Sequence, residues 1–181
     1  MLRIVLADSV TRDDVDDAIV AHRWRLADVV AASAAHPAQL VLLTEDRGAA
    51  MHFVDDQQVD ARYFVVSGRD AARARRELEA TLPTVDDAAI TLLLSSPDRP
   101  SELARGLVYA ALSSESKAGE RVSAFERAAS HADESVRAAV VVAAAYARWS
   151  ELRPLVERCA TSDPSPALRA RATIVLNGFS R

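Results

Sequence analysis

The sequence holds one cysteine, one lysine and five glycines in 181 residues. A lone Cys159 cannot form an internal disulfide, which removes the class of small secreted domains stapled by cystines. With seven prolines and so little glycine, the chain lacks the punctuation of a turn-rich β protein. It has no Gly-rich phosphate loop, no Walker lysine and no Gly-x-Ser-x-Gly elbow. Its longest uncharged apolar run, Ala138 to Ala147, lies between Arg137 and Arg148 and is about half the ~20 residues a membrane-spanning helix needs. The stretch before Asp8 is too short and too little apolar for a signal peptide. These absences predict a protein of the reducing cytoplasm with no membrane segment and no enzyme motif.

Half the residues are apolar and 27% are charged, a normal globular mixture that suffices for one or two cores. Alanine supplies about a fifth of the chain and favours helices. The net charge of -4 falls wholly before residue 84, where 10 Arg face 14 acids; from there on 12 basic residues face 12 acidic ones. Neither half is a basic footprint, so nucleic acid is not the expected partner.

The second half contains an internal repeat. Phe125-Glu126-Arg127-Ala128-Ala129-Ser130 recurs 31 residues later as Val156-Glu157-Arg158-Cys159-Ala160-Thr161, with residue types matched in order. Each copy leads to an Asp and then to an apolar-Arg pair: Asp133 with Val136-Arg137, and Asp163 with Leu168-Arg169. A weaker copy begins at Asp98, where Leu103 falls 33 residues before Val136 and Ala104 takes the place of the Arg. The spacing predicts Ala-rich first helices, with second helices around 85–95, 119–130 and 150–161. Ala138 to Ala147 is apolar all round, as a helix between neighbours should be. Asn177-Gly178 is the expected stop of the last helix.

A period of 31 to 33 residues with this pattern resembles the HEAT-like repeat family over about residues 85–181. The resemblance implies antiparallel helix pairs in which Asp133, Arg137, Asp163 and Arg169 have a structural role, bonding to each other or to neighbouring repeats. It also implies a binding surface on the second helices, with Glu126, Arg127, Arg153, Glu157 and Arg158 as contact residues for another protein. Some relatives in that family are DNA glycosylases or bilin lyases, which makes a nucleic-acid-acting enzyme the alternative. Trp149 falls at the turn of the best repeat, where it either staples the helix pair or stands out as an interface anchor.

Residues 1–83 do not repeat. Leu2 to Ala7 reads as a strand, and Ser9 or Thr11 can cap a helix rich in Asp in its first turns. Val15, Ile19, His22, Leu26 and Val29 recur at helical spacing, so that helix is expected to run to His36-Pro37. Three strand-like runs follow, at 39–44, 50–54 and 61–67, joined by short polar links that indicate hairpins. A last helix has Ala71, Ala74, Leu78 and Leu82 on its apolar stripe. The prediction is an α+β domain over 1–83 in the order β-α-β-β-β-α, with a mostly antiparallel sheet, and HEAT-like helical repeats over 84–181. Trp24 lies off the helical stripe, either exposed or resting on the repeats.

Chemistry is thinly represented. His22, His36, His52 and His131 are scattered, none at metal-ligand spacing, so neither metal nor cofactor is expected. Cys159 aligns with Ala128 and reads as a small core residue. Asp55, Asp56 and Asp60 lack the alternate spacing and glycine of a calcium loop and read as a solvated hairpin turn.

Overall fold

The computed structural model describes residues 2–33, 36–113 and 119–179. The chain is α+β and divides into two compact units between Val85 and Asp86.

In the first unit, β1 (Leu2–Val5) is followed by α1 (Arg12–Ala21), four strands and α2 (Ala71–Thr81). The strands β2 (Arg25–Val30), β3 (Ala38–Leu43), β4 (Ala50–Asp56) and β5 (Ala61–Ser67) join β1 in one sheet of order β1-β5-β4-β3-β2. Every pairing is antiparallel. One face carries Ile4, Leu40, Leu42, Met51, Phe53, Phe64 and Val66, and both helices bury their stripes on it, Val15 and Ala18 from α1, Ala74 and Leu78 from α2. Asp56 is buried, not solvated, beside Tyr63, whose phenol burial and the nearby Asp56 push up to about 12.

The first helix is shorter than its apolar spacing predicts, and the expected β-α-β-β-β-α order gains a strand. Thr11 is the N-cap: its Oγ1 accepts the Asp14 N–H at 3.2 Å while Asp14 Oδ2 accepts the Thr11 N–H at 2.7 Å. At the other end Arg23 is left-handed, φ 54°, and the N–H groups of Arg23 and Trp24 donate to Val20 O and Ile19 O. That is a complete Schellman motif with arginine where glycine is usual. The chain then runs back along β3 as β2. Ala34 and Ala35, inside the expected helix, lie outside the described residues. Trp24 belongs to the core, stacked on His22 at 4.8 Å and edge-on to Phe64 at 6.5 Å. Gly68, at φ +106°, lets the start of α2 close on the β3–β4 hairpin, because a Cβ there would lie 2.5 Å from Gly48 O.

The second unit is helical: α3 (Asp87–Leu94), α4 (Pro100–Leu112), α5 (Gly119–Ala128), α6 (Glu134–Ala147), a 3-10 turn (Ser150–Leu152), α7 (Arg153–Ser162) and α8 (Pro166–Phe179). Among the described residues, no helix is long and apolar enough to cross a membrane. Helix α6 packs against α4 on one side and α8 on the other; α5 touches α4 and α6, and α7 touches α6 and α8. The centre of this row is apolar, with Val136, Val140, Val141, Ala143 and Ala144 fully buried. Gly106 lets α4 approach α3, since a Cβ there would meet Leu93 Cβ at 2.8 Å. Asn177-Gly178 does not stop α8, which continues to Phe179. A Cβ built at Gly178 would meet nothing within 4 Å among the described residues, so packing does not require a glycine at that position.

Candidate interaction surface

Helix α5 buries Arg121, Ala124, Phe125 and Ala128, the i, i+3, i+4, i+7 stripe, which turns Glu126 and Arg127 to solvent. Helix α7 buries Leu155, Val156 and Cys159 and exposes Arg153, Glu157 and Arg158. Arg153 Nε donates to Glu157 Oε1 at 2.9 Å, a half-exposed i,i+4 pair of a kind worth only about 0.3–0.5 kcal/mol. Trp149 is not an exposed anchor. It is 4% accessible and packs edge-on against Phe125 with ring centroids 5.8 Å apart, because the turn before α7 folds back onto α5.

Two clefts open beside these helices. The larger, about 630 Å³, lies between α3 and α5 and is lined by Asp87, Thr91, Leu94, Arg121, Ala124 and Arg127, among others. Arg121 is 7% accessible and spans its wall, Nη2 donating to Asp87 Oδ1 at 2.6 Å and Nη1 to Ser113 Oγ at 3.1 Å. Arg127, at the rim, forms no ion pair among the described residues. By sequence Arg121 groups with Arg127, Arg153 and Arg158 as able to line one face of the second helices, but it lies on the buried stripe and pairs with Asp87, which the sequence does not single out. The available signal for that burial is an arginine on the core-facing stripe of α5, a position where the charge needs a partner.

The smaller cleft, about 340 Å³, is bounded by His131, Arg137, Arg158, Cys159 and Asp163. Arg137 crosses from the start of α6 to the end of α7: Nε and Nη2 donate to Asp163 Oδ2 and Oδ1 at 2.8 and 3.2 Å. Its Nη1 donates to the carbonyls of His131 and Ala132, both at 2.9 Å. This bidentate, buried pairing holds the Asp163 carboxyl below its ordinary 3.8, with the Ser165 N–H adding to the effect. Arg169 repeats half of the device, reaching the carbonyls of Asp163 and Pro164, again six and five residues before it. Asp133 and Arg137 do not bond to each other. Asp133 caps α6 by accepting the Ser135 N–H at 2.8 Å. His131 Nδ1 accepts the Asp133 N–H at 3.0 Å, which leaves Nε2–H to donate to Pro97 O at 3.1 Å. Burial pushes the Cys159 thiol up, the wrong direction for a nucleophile.

A third cleft, about 350 Å³, belongs to the first unit and is lined by His22, Trp24, Thr44, Asp46, Arg73 and Glu77. Asp46 accepts from Gly48 N at 3.0 Å, Thr44 Oγ1 at 2.8 Å and Arg73 Nη2 at 2.6 Å, which holds its carboxyl at about 2. Trp24 Nε1 is buried there without a hydrogen-bond partner among the described residues. No group of His, Cys, Asp or Glu able to hold a metal is present among the described residues.

Of the expected contact residues, then, Arg127 and Arg158 line clefts, Glu126, Arg153 and Glu157 are exposed beside them, and Trp149 is withdrawn into the core. No family model matches the chain, nor does any curated protein or solved structure.

Proposed function

We propose that the protein is a non-catalytic, cytoplasmic protein-interaction module whose helical unit is a short HEAT-like repeat array. The α3–α5 cleft is the observation that carries this reading. Its lining holds a buried Arg121 neutralised by the exposed Asp87, the apolar Leu94 and Ala124, and an exposed Arg127 with no ion pair among the described residues. Such a mixture of apolar lining and directional charge suits a protein surface more than a phosphate backbone, which asks for a broad cationic field. The row of α4, α6 and α8, with α3, α5 and α7 beside it, and the recurring Arg137 and Arg169 devices, support the repeat assignment. In its narrower form the reading is an inhibitor or immunity-type binder of another protein.

The test is capture of partners from cells on the immobilised full chain, with and without nuclease, repeated with Arg127→Glu and Arg158→Glu. A stoichiometric protein retained after nuclease and weakened roughly tenfold by the reversals, at about 1.4 kcal/mol per decade, is the expected outcome. Retention indifferent to both reversals removes this surface. Material lost entirely on nuclease treatment overturns the reading in favour of a nucleic-acid-acting protein of the glycosylase kind, to be assayed for base excision.

A further inference from the structure

The two edges of the sheet are finished differently. At β1 the chain covers itself: Val85 N–H donates to Val5 O and Ala7 N–H to Pro83 O, both at 2.9 Å, with Leu6 bridged to Thr84. At β2, residues 25–29 are all exposed, Leu26 at 56% and Val29 at 60%. An open edge strand is a template for another strand. The β2–β3 register pairs Arg25 with Leu43, Leu26 with Leu42, Asp28 with Val41 and Val29 with Leu40, so Ala27 is the extra residue of a bulge. Leu26 and Val29 therefore share the face of Leu40 and Leu42, while Arg25 and Asp28 share the other.

We propose that β2 is a dimerisation edge whose occupant is β2 of a second copy of this chain. The segment Arg25-Leu26-Ala27-Asp28-Val29-Val30 is self-complementary when run antiparallel to itself. A two-fold axis normal to the sheet between Ala27 and Asp28 sets Leu26 opposite Val29 of the second copy, and Val29 opposite its Leu26. The same axis places each Arg25 diagonal to Asp28 of the other copy, within reach of long side chains on that face. Both partners are available for it: Arg25 has no ion pair among the described residues, and Asp28 Oδ1 accepts only the adjacent Val29 N–H, at 2.8 Å. An unrelated strand would find apolar contacts here as well. The symmetric placement of one positive and one negative charge is what selects the chain's own copy.

Sedimentation equilibrium of the full chain tests this. The mass should rise with concentration from 19.5 kDa to twice that value. Leu26→Lys with Val29→Lys should return it to the monomer with an unchanged circular dichroism spectrum. Arg25→Asp should weaken the dimer roughly tenfold, and adding Asp28→Arg should recover most of the loss. Ala27→Cys, beside the axis, should give a disulfide-linked dimer in a Cys159→Ala background, which reports the same edge without disturbing its apolar pair. A mass fixed at 19.5 kDa up to roughly 1 mM overturns the proposal. So does a dimer that survives the lysine pair and escapes the Ala27→Cys cross-link, or a β2 edge that pairs with a different protein while the pure chain stays monomeric.

Discussion

The two units solve the same problem, keeping polar groups satisfied around an apolar core, by different means. In the helical unit one device recurs. An arginine early in α6, and again in α8, reaches back to the two carbonyls that end the preceding turn, and an Asp two residues before a Ser accepts that Ser's N–H. In the sheet unit the solutions are local and follow no repeat: the capping box at Thr11, the Schellman turn at Arg23, the Thr44–Asp46 cluster in the β3–β4 hairpin, and Asp46 and Asp56 each accepting the N–H two residues on without an arginine device beside it. Recurrence makes a device visible as a pattern in the sequence, whereas a local device leaves no period. Each unit also holds one of the two tryptophans, Trp24 in the sheet unit and Trp149 in the helical one, so the two can be followed separately.

The sharpest way to break this comparison is Arg137→Ala. It strands the buried Asp163 carboxylate, a loss of the kind that costs about 3–5 kcal/mol. In a Trp24→Phe background, the urea transition seen by Trp149 should move by that amount; in a Trp149→Phe background, the one seen by Trp24 should stay in place. Phe64→Ala is the mirror experiment, a cavity in the sheet core of about 3–5 kcal/mol reported by Trp24 alone. If either variant shifts both transitions equally, the units unfold as one and their separate solutions are not separate energetically.

Acid sharpens the contrast. Asp163 has a folded pKa below its ordinary 3.8, so between the two values the unfolded chain binds more protons than the folded one. Its stabilisation is complete above 3.8 and is lost as pH falls through the lower folded value. Urea midpoints reported by Trp149 should therefore be flat above that range and fall within it, and Asp163→Asn should reduce that slope as well as the overall stability.

What was legible follows from the same contrast. The repeat placed α5, α6 and α7 to within a few residues, because a matched sextet 31 residues apart constrains where each helix must start and end. It did not fix the partner of Arg137, since the resemblance sets Asp133 with Arg137 and Asp163 with Arg169 while allowing bonds to a neighbouring repeat, and only the packing of α7 beside α6 brings Asp163 to Arg137. In the sheet unit, β3, β4 and β5 were readable from their β-rich runs and polar links. Strand β2 was read as helix for a specific reason. The bulge at Ala27 removes one residue from the alternation, so Leu26 and Val29 occupy one face at a spacing of three and imitate a helical stripe continued from His22. The helix stop was equally concealed, since a left-handed Arg23 gives none of the signal of a glycine. At the candidate surface the charged residues are legible but not all of their burial: Arg121, grouped by sequence with the exposed arginines of the second helices, holds a core position, where a charged residue is least expected.

The smallest effect isolates one of the local devices. Thr44 is 3% accessible, and its hydroxyl accepts the buried Ala49 N–H at 3.0 Å while donating to Asp46 at 2.8 Å. Thr44→Val keeps the side-chain shape and removes both bonds. The unsatisfied Ala49 N–H should cost about 1–2 kcal/mol, seen by Trp24 and not by Trp149. The second consequence has the opposite location and a definite sign. Asp46 keeps its Gly48 and Arg73 contacts but loses the hydroxyl, so its carboxyl should titrate above the present value of about 2 and still below 3.8. An NMR titration of the Asp46 side chain measures this directly. An unchanged Asp46 value together with the expected loss of stability would mean that the hairpin is held by the backbone bond alone, and that the cluster of Thr44, Asp46 and Arg73 is a surface ornament of the turn.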